Sequence, residues 1–248
     1  MREPAEEQVV AGRIARQAIE LGQELCRSAI DGPLLDRELE SFICDNGGKP
    51  ALKGYHPPFA QFPYDWTICL ALDNDVVHGV PIKFVSADHI ITIDLVVEYQ
   101  GWYADTARTF TFSKDLSKKI FVDHSAQIFQ SAIEMIMPGQ SMNMFASIVS
   151  SGAEMCGYGV VKEYCGHGIG KTIHMSPQVI NVPDPRNELF QTGQSYAVEP
   201  VLALDPKYRL EHDEYDGFSV RANCLASHNE DTIFIGPDRI INLTGNLT

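Results

Sequence analysis

Asp88-His-Ile-Ile-Thr-Ile-Asp94-Leu-Val-Val-Glu-Tyr-Gln-Gly101-Trp-Tyr-Ala-Asp105-Thr-Ala-Arg-Thr-Phe-Thr-Phe112 reads as two β-arms around a Tyr-Gln-Gly turn. The arms are rich in Ile, Val, Thr and aromatic residues, and the bend carries the glycine. In an antiparallel hairpin the numbers of paired residues sum to a constant. A turn centred on Tyr99-Gln100 makes that constant 199, a turn centred on Gln100-Gly101 makes it 201, and Asp94 with Asp105 makes 199. Both aspartates therefore share one sheet face, directly opposed or one diagonal step apart. Two carboxylates so placed repel, and ionising both away from water is costly. One can be protonated, the face can be solvated, or a cation can sit between them. The hairpin alone leaves the three open.

Outward from the hairpin, helices and strands mingle. Residues 5–30 carry Val9, Ile14, Ile19, Leu21, Leu25 and Ile30 at roughly helical spacing, with acids at the start. Asp31-Gly32-Pro33 breaks that helix, and a second is expected over about 34–45, stopping at Asn46-Gly47-Gly48. Residues 47–65 form a long loop rich in Gly, Pro and aromatics, a composition that usually lines something. Strands are expected at Trp66–Leu72, Val160–Tyr164, Tyr196–Leu204, near 217–222 and over 224–235, and a helix pair over about 114–136 and 141–156. No linker or low-complexity tract interrupts the chain. The expectation is a single α+β domain spanning residues 1–248.

The net charge of −14 argues against a non-specific nucleic-acid binder, which needs a basic face. The six cysteines are never closer than nine residues, so there is no metal knuckle and no redox pair; they read as reduced thiols of a cytoplasmic protein. The start is charged rather than apolar, and no run approaches the roughly 20 apolar residues of a membrane span. Asn242-Leu-Thr and Asn246-Leu-Thr match the glycosylation acceptor pattern, read here as chance tail sequence.

Four further stretches carry candidate chemistry. Gly166-His167-Gly-Ile-Gly170-Lys171-Thr172 fails as a phosphate loop, because the first glycine of that motif would fall on Cys165. Its glycines leave the His167 imidazole uncrowded, as a ligand position needs. Glu199 lies inside the apolar run Tyr196-Ala-Val-Glu-Pro-Val-Leu202, where an unpaired acid is expensive. Glu230 lies in Asn229-Glu-Asp-Thr232, and Val76-Val-His78-Gly-Val-Pro81 precedes the hairpin.

Together, Ile93-Asp94, Ala104-Asp105-Thr106, Gly166-His167-Gly-Ile-Gly170, Ala197-Val-Glu199-Pro200 and Asn229-Glu230-Asp-Thr232 resemble, in order and spacing, the metal-binding motifs of the methionine aminopeptidases. The resemblance runs from Ala11 to about Phe234. It implies the pita-bread fold, an antiparallel sheet with covering helices. It implies two divalent ions, with Asp94 chelating one, Asp105 and Glu230 bridging both, and His167 and Glu199 completing the other. Oxygen donors with one imidazole suit Mn²⁺, Fe²⁺, Co²⁺ or Zn²⁺. His78 and His174 match two histidines that contact substrate, the first at a peptide nitrogen and the second at the scissile carbonyl. Glu199 is also expected to shuttle a proton to the leaving amine. By position Tyr64, Cys69, Ile173 and Phe218 form the side-chain pocket, although an aromatic is usual at Ile173 and Trp at Phe218.

One departure is larger. The family usually has Gln two residues before this glutamate and His directly after it, where this chain has His228 and Asp231. Glu-Asp-Thr resembles the ending of the related proline-directed peptidases. The short His167–Glu199 and Glu199–Glu230 intervals resemble the type I branch. The expected function is removal of the initiator methionine from new or short polypeptides by a cytoplasmic, monomeric enzyme. Its partner is a peptide, a ribosome contact stays open, and neither nucleic acid nor membrane is expected. The alternatives are an X-Pro or prolidase-like aminopeptidase of the same fold, and a binding module that has lost its metal.

Overall fold

The hairpin of Ile90–Tyr99 and Trp102–Thr111 takes the second of the two registers: Val96 faces Asp105 and Asp94 faces Ala107. Gln100 and Gly101 both adopt left-handed backbone, with φ of 50° and 79°. That is the two-residue turn whose twist matches its strands. The two aspartates therefore lie on one face, one diagonal step apart. The protein is described here by a computed structural model covering residues 3–58, 60–213 and 216–245. Met1-Arg2 and the Asn246 acceptor pattern lie outside the described residues.

Two helices cover the back of this hairpin. α1 (Glu6–Leu25) opens with Glu6 and Glu7, which favour the positive end of its dipole. α2 (Gly32–Asp45) follows Asp31 and carries Pro33 in its first turn. Ile14, Leu35, Leu39 and Ile43 bury against Ile91, Ile93, Leu95 and Val97 of the hairpin. The apolar side of the arm thus supplies the core, and the opposite side is left to carry Asp94. The first helix is shorter than its pattern predicts. Ile30–Asp31 leaves it and pairs as a short strand with Phe84–Val85.

Two more helices, α3 (Leu116–Glu134) and α4 (Met142–Cys156), cover a second sheet. Asp115 and Ser141 cap their first turns through side-chain oxygens. Phe121, Phe129 and Phe145 bury against Tyr196, Val198 and Ile233. In this sheet Gly166–Ile169 pairs with Met175–Val179 on one side and Ser195–Val198 on the other, and Ser195–Val198 also pairs with Asp231–Ile235. All these pairings are antiparallel. The α+β expectation holds.

Two of the strands predicted outside the hairpin, Tyr196–Leu204 and 224–235, are each broken. Ser195–Val198 and Val201–Ala203 belong to different sheets, and so do Ala226–His228 and Asp231–Ile235. The breaks fall on Glu199-Pro200 and Asn229-Glu230. Pro200 has no N–H to give to a ladder, so the chain leaves one sheet and enters the next there. The expected strand at Val160–Tyr164 reduces to Gly159–Val160, and that at Trp66–Leu72 to Cys69–Leu72.

The approach to Cys69–Leu72 is held by one buried acid. Asp36 of α2 accepts hydrogen bonds from the N–H groups of Thr67 at 2.8 Å and Ile68 at 3.0 Å. Asp36→Ala would strand two buried donors, and a loss of about 3 kcal/mol is expected in urea unfolding.

Candidate functional site

Both strand breaks face the hairpin. Ala107, opposite Asp94, also bridges to Glu230: the Glu230 N–H donates to the Ala107 carbonyl at 2.9 Å, and the reverse bond is 3.3 Å. The Thr106 hydroxyl donates to the Glu230 carbonyl at 2.9 Å, and Arg108 donates to the same oxygen. The Thr232 hydroxyl accepts from the Asp105 N–H and donates to the Asp105 carbonyl, both at 2.8 Å. The backbone on either side of Asp105 and Glu230 is thus pinned before their side chains do any work.

Asp105, His167 and Glu230 form one compact group of donor atoms, each pair within 4.8 Å, and Glu199, His228 and Glu230 form a second. Glu230 belongs to both. His167 Nε2 lies 3.6 Å from Glu199 and 3.8 Å from Asp105. Its Nδ1 lies 3.0 Å from the Gly168 carbonyl, which accepts the ring proton and leaves Nε2 a lone pair facing the acids. The flanking glycines answer to the neighbouring strands. A Cβ on Gly166 would meet the Ala197 carbonyl oxygen at 2.2 Å, and one on Gly168 the Ser176 carbonyl oxygen at 2.7 Å. Asp94 faces the same cavity from beside Cys69, its partner on the next strand, and belongs to neither triad.

The electrostatics of this wall are unfavourable for a bare protein. Burial pushes Asp94 up to about 6. Burial, then the charges of Asp94 and Glu199, pushes Asp105 well above the carboxylate range. Burial, then Asp105 and Glu199, does the same to Glu230. Asp105 Oδ1, Glu230 Oε1 and His228 Nε2 are buried without a hydrogen-bond partner. Oxygen donors that repel each other, with imidazoles among them, fit a divalent cation, which neutralises the charge and fills the orphaned lone pairs.

The cavity, about 480 Å³, is lined by apolar side chains as well as by the acids. Tyr64 and Cys69 are buried there with Phe218 and Leu52 packed against them, and Tyr64 meets Phe218 edge to face at 5.1 Å. Tyr64 donates its hydroxyl to the carbonyls of Ile68 and Gly79, so its ring edge rather than its oxygen is offered. Burial, then Asp94, pushes the Cys69 thiol well up, which keeps it neutral. Ile173 is buried and lines the same space. Each pocket residue predicted from the sequence borders this cavity.

His78 and His174 border it too. His78 holds left-handed backbone at φ 57°, a costly conformation for a side chain of its size. Burial lowers its pKa to about 4, so the ring is neutral at pH 7. His174 sits at the exposed rim, its ring 4.5 Å from that of His167. Loss of water along its inner edge, then the His167 imidazole, holds it below the usual histidine range. Its Nδ1 lies 3.0 Å from the Tyr55 hydroxyl.

Three contributors escaped the sequence reading. Tyr55, 119 residues from His174, lies in the loop expected to line something, and no local signal marks it. Arg108 holds Glu230 through its carbonyl and Asp231 through its carboxylate at 2.6 Å. His228 was visible as a departure but was not read as part of the site. Asp231, the other departure, turns away from the cavity. Besides Arg108, its carboxylate accepts from Asn242 at 2.9 Å and Thr244 at 2.7 Å.

These shifts fix a pH dependence. In chelator the folded protein holds protons on Asp105 and Glu230 that the unfolded chain has released, so stability falls as pH rises. Below about 6.5 His78 and His174, both lowered to about 4, work the other way. Between pH 6.5 and 8 the melting temperature in EDTA is expected to fall, and saturating Mn²⁺ or Co²⁺ to abolish that fall. A flat profile in EDTA would contradict the charge repulsion inferred here.

Among the described residues no helix is long and apolar enough to cross a membrane. Metallopeptidase family M24 matches residues 8–236. A methionine aminopeptidase of Clostridium perfringens is 31% identical over 235 residues, covering 92% of this chain and 90% of that one. One from Escherichia coli is 28% identical over 243 residues, covering 94% and 88%. The crystal structure of the methionine aminopeptidase from Thermotoga maritima superposes with a TM-score of 0.88 at 26% identity, covering 97% and 96%. A prolidase from Pyrococcus furiosus, at 18% identity and a TM-score of 0.72, shares the fold; all of this chain covers 66% of that longer one.

Proposed function

This chain belongs to metallopeptidase family M24, and from that premise we propose that it removes the N-terminal methionine from polypeptides by metal-dependent hydrolysis of the first peptide bond. The observation that carries the reading is one cavity with two kinds of wall: carboxylates and imidazoles that fit divalent metal, and the apolar group Tyr64, Cys69, Ile173 and Phe218. A thioether side chain matches the second wall in polarity and softness. The family match over residues 8–236 supports reading the chain as one catalytic unit.

Asp94, Asp105, His167, Glu199 and Glu230 would hold two divalent ions. Such ions supply, when bound, an acidified water as nucleophile near neutral pH and a counter-charge for the scissile carbonyl. Each remaining task falls to the chain itself. The methionine side chain seats against Tyr64 and Phe218, which excludes water from the bond to be cut. Neutral His78 can accept from or donate to the first peptide nitrogen without bringing a charge into the cavity. In the tautomer in which Nδ1 accepts from the Tyr55 hydroxyl, His174 would carry its proton on Nε2 and donate it to the carbonyl oxygen as charge grows there. Glu199 takes a proton from the nucleophile and returns it to the leaving amine. The site should favour a small second residue, because the cavity must close over it.

The role of Asp231 bears on the X-Pro alternative. Its carboxylate is consumed by Arg108, Asn242 and Thr244 on the far side of the strand, so the Glu-Asp-Thr ending serves the scaffold rather than substrate choice. The test is release of methionine from a Met-Ala-Ser peptide with Mn²⁺, Fe²⁺ or Co²⁺ supplied in turn, beside an Ala-Pro peptide. Metal-restored methionine release supports the reading. Faster cleavage of Ala-Pro would hand the site to the alternative.

A further inference from the structure

We propose that His228 is a direct metal ligand, giving this site a second imidazole beside His167 and six donor side chains in place of five. The inference rests on the metal reading of the site and goes beyond the ligand set that the family resemblance implies. Its origin is local. His228 ends the strand Ala226–His228 and pairs with Val201, two residues past Glu199, while Glu230 lies two residues beyond His228. The two strand breaks bring the donor atoms of His228, Glu230 and Glu199 together in one group.

The backbone of His228 is fixed independently of its ring. Its N–H donates to the Thr109 hydroxyl at 2.8 Å, and its carbonyl accepts from the same hydroxyl at 2.8 Å. The ring is only 3% exposed in a position that offers no solvent to its nitrogen. Nε2 is buried and has no hydrogen-bond partner, although Glu199 lies at 3.4 Å and Glu230 at 3.8 Å. A histidine serving only to orient Glu199 would bring its nitrogen into hydrogen-bond geometry, because an orphaned buried nitrogen is costly. A nitrogen held just beyond that geometry, with two carboxylates converging on the same space, is the arrangement a cation completes. Glu199, His228 and Glu230 place their donor atoms within 4.8 Å of one another, as Asp105, His167 and Glu230 do.

The consequence is a change in metal preference. A second nitrogen donor favours ions that bind imidazole well, Co²⁺, Fe²⁺ and Zn²⁺, over Mn²⁺. His228→Gln, which restores the residue usual in the family, should weaken Co²⁺ binding more than it weakens Mn²⁺ binding.

The direct test is X-ray absorption of the cobalt-loaded chain, reading imidazole scattering per bound ion pair. Two imidazoles per pair are expected in the unaltered protein and one in His228→Gln. One imidazole per pair in the unaltered protein would overturn the assignment and leave the five-ligand reading standing. Failure of the unaltered protein to retain cobalt at all would overturn both. The count on the unaltered chain needs no variant, so it decides the matter even if His228→Gln folds poorly.

Discussion

Glu230→Ala is expected to reduce turnover of a methionyl peptide about a thousandfold or more, with Asp105→Ala close behind. Each of these carboxylates would serve both ions, so its loss removes a shared ligand rather than one of several. Losing the several kcal/mol of charge stabilisation that metal supplies corresponds to roughly three decades in rate. The fold should survive, because the Glu230 backbone is held by Ala107, Thr106 and Arg108 through main-chain atoms that the substitution keeps. A second measurement separates this from simple damage. Glu230→Gln removes one of the buried acids that repel each other, so in EDTA above pH 6.5 the variant should melt higher than the unaltered protein. Inactivity joined to greater metal-free stability is the signature of a site whose charges exist for a cation. Near-normal turnover in Glu230→Ala or Asp105→Ala would show that the ligand assignment is wrong.

His174→Ala is expected to lower kcat by about 10²- to 10³-fold with little change in KM, the range for loss of one donor to a developing oxyanion. The ring sits at the cavity rim, not among the metal donors, so metal content should be unchanged. Tyr55→Phe tests how the proton reaches the right nitrogen. It removes the hydroxyl 3.0 Å from Nδ1 and leaves the ring, so its effect on kcat should share the direction of His174→Ala and be smaller. If His174→Ala instead raised KM at constant kcat, the ring would be binding substrate uniformly, and its assignment to the carbonyl would fail.

How much of this could be read from the chain depends on the range of the forces involved. The shared face of Asp94 and Asp105 follows from parity alone, because both candidate turns give odd sums. The choice between the registers needed the structure, since both turns suit the residues present. Glu199 was visible as an acid in apolar surroundings, whereas Glu230, among Asn229 and Asp231, stood out only through the family resemblance. Their positions at strand breaks were not visible, because the apolar runs on either side read as continuous strands. A switch between sheets leaves no period in the sequence beyond Pro200. The convergence of His167, Glu199 and Glu230 on the hairpin came from the family resemblance, since each pairing spans more than 60 residues from Asp105. His228 had a usable signal, two residues from Glu230 in a predicted strand, but it registered only as a departure from the family pattern. Tyr55 had none, because a long irregular loop places its side chains by tertiary contact.

A pair of cations is expected where Asp94, Asp105, His167, Glu199 and Glu230 meet. Anomalous diffraction from crystals grown with Mn²⁺ tests this most directly. Two peaks about 3.5–4 Å apart, with the Asp105 and Glu230 carboxylates between them, are the expected result. Crystals saturated with Mn²⁺ that show no anomalous peak among these side chains would contradict it.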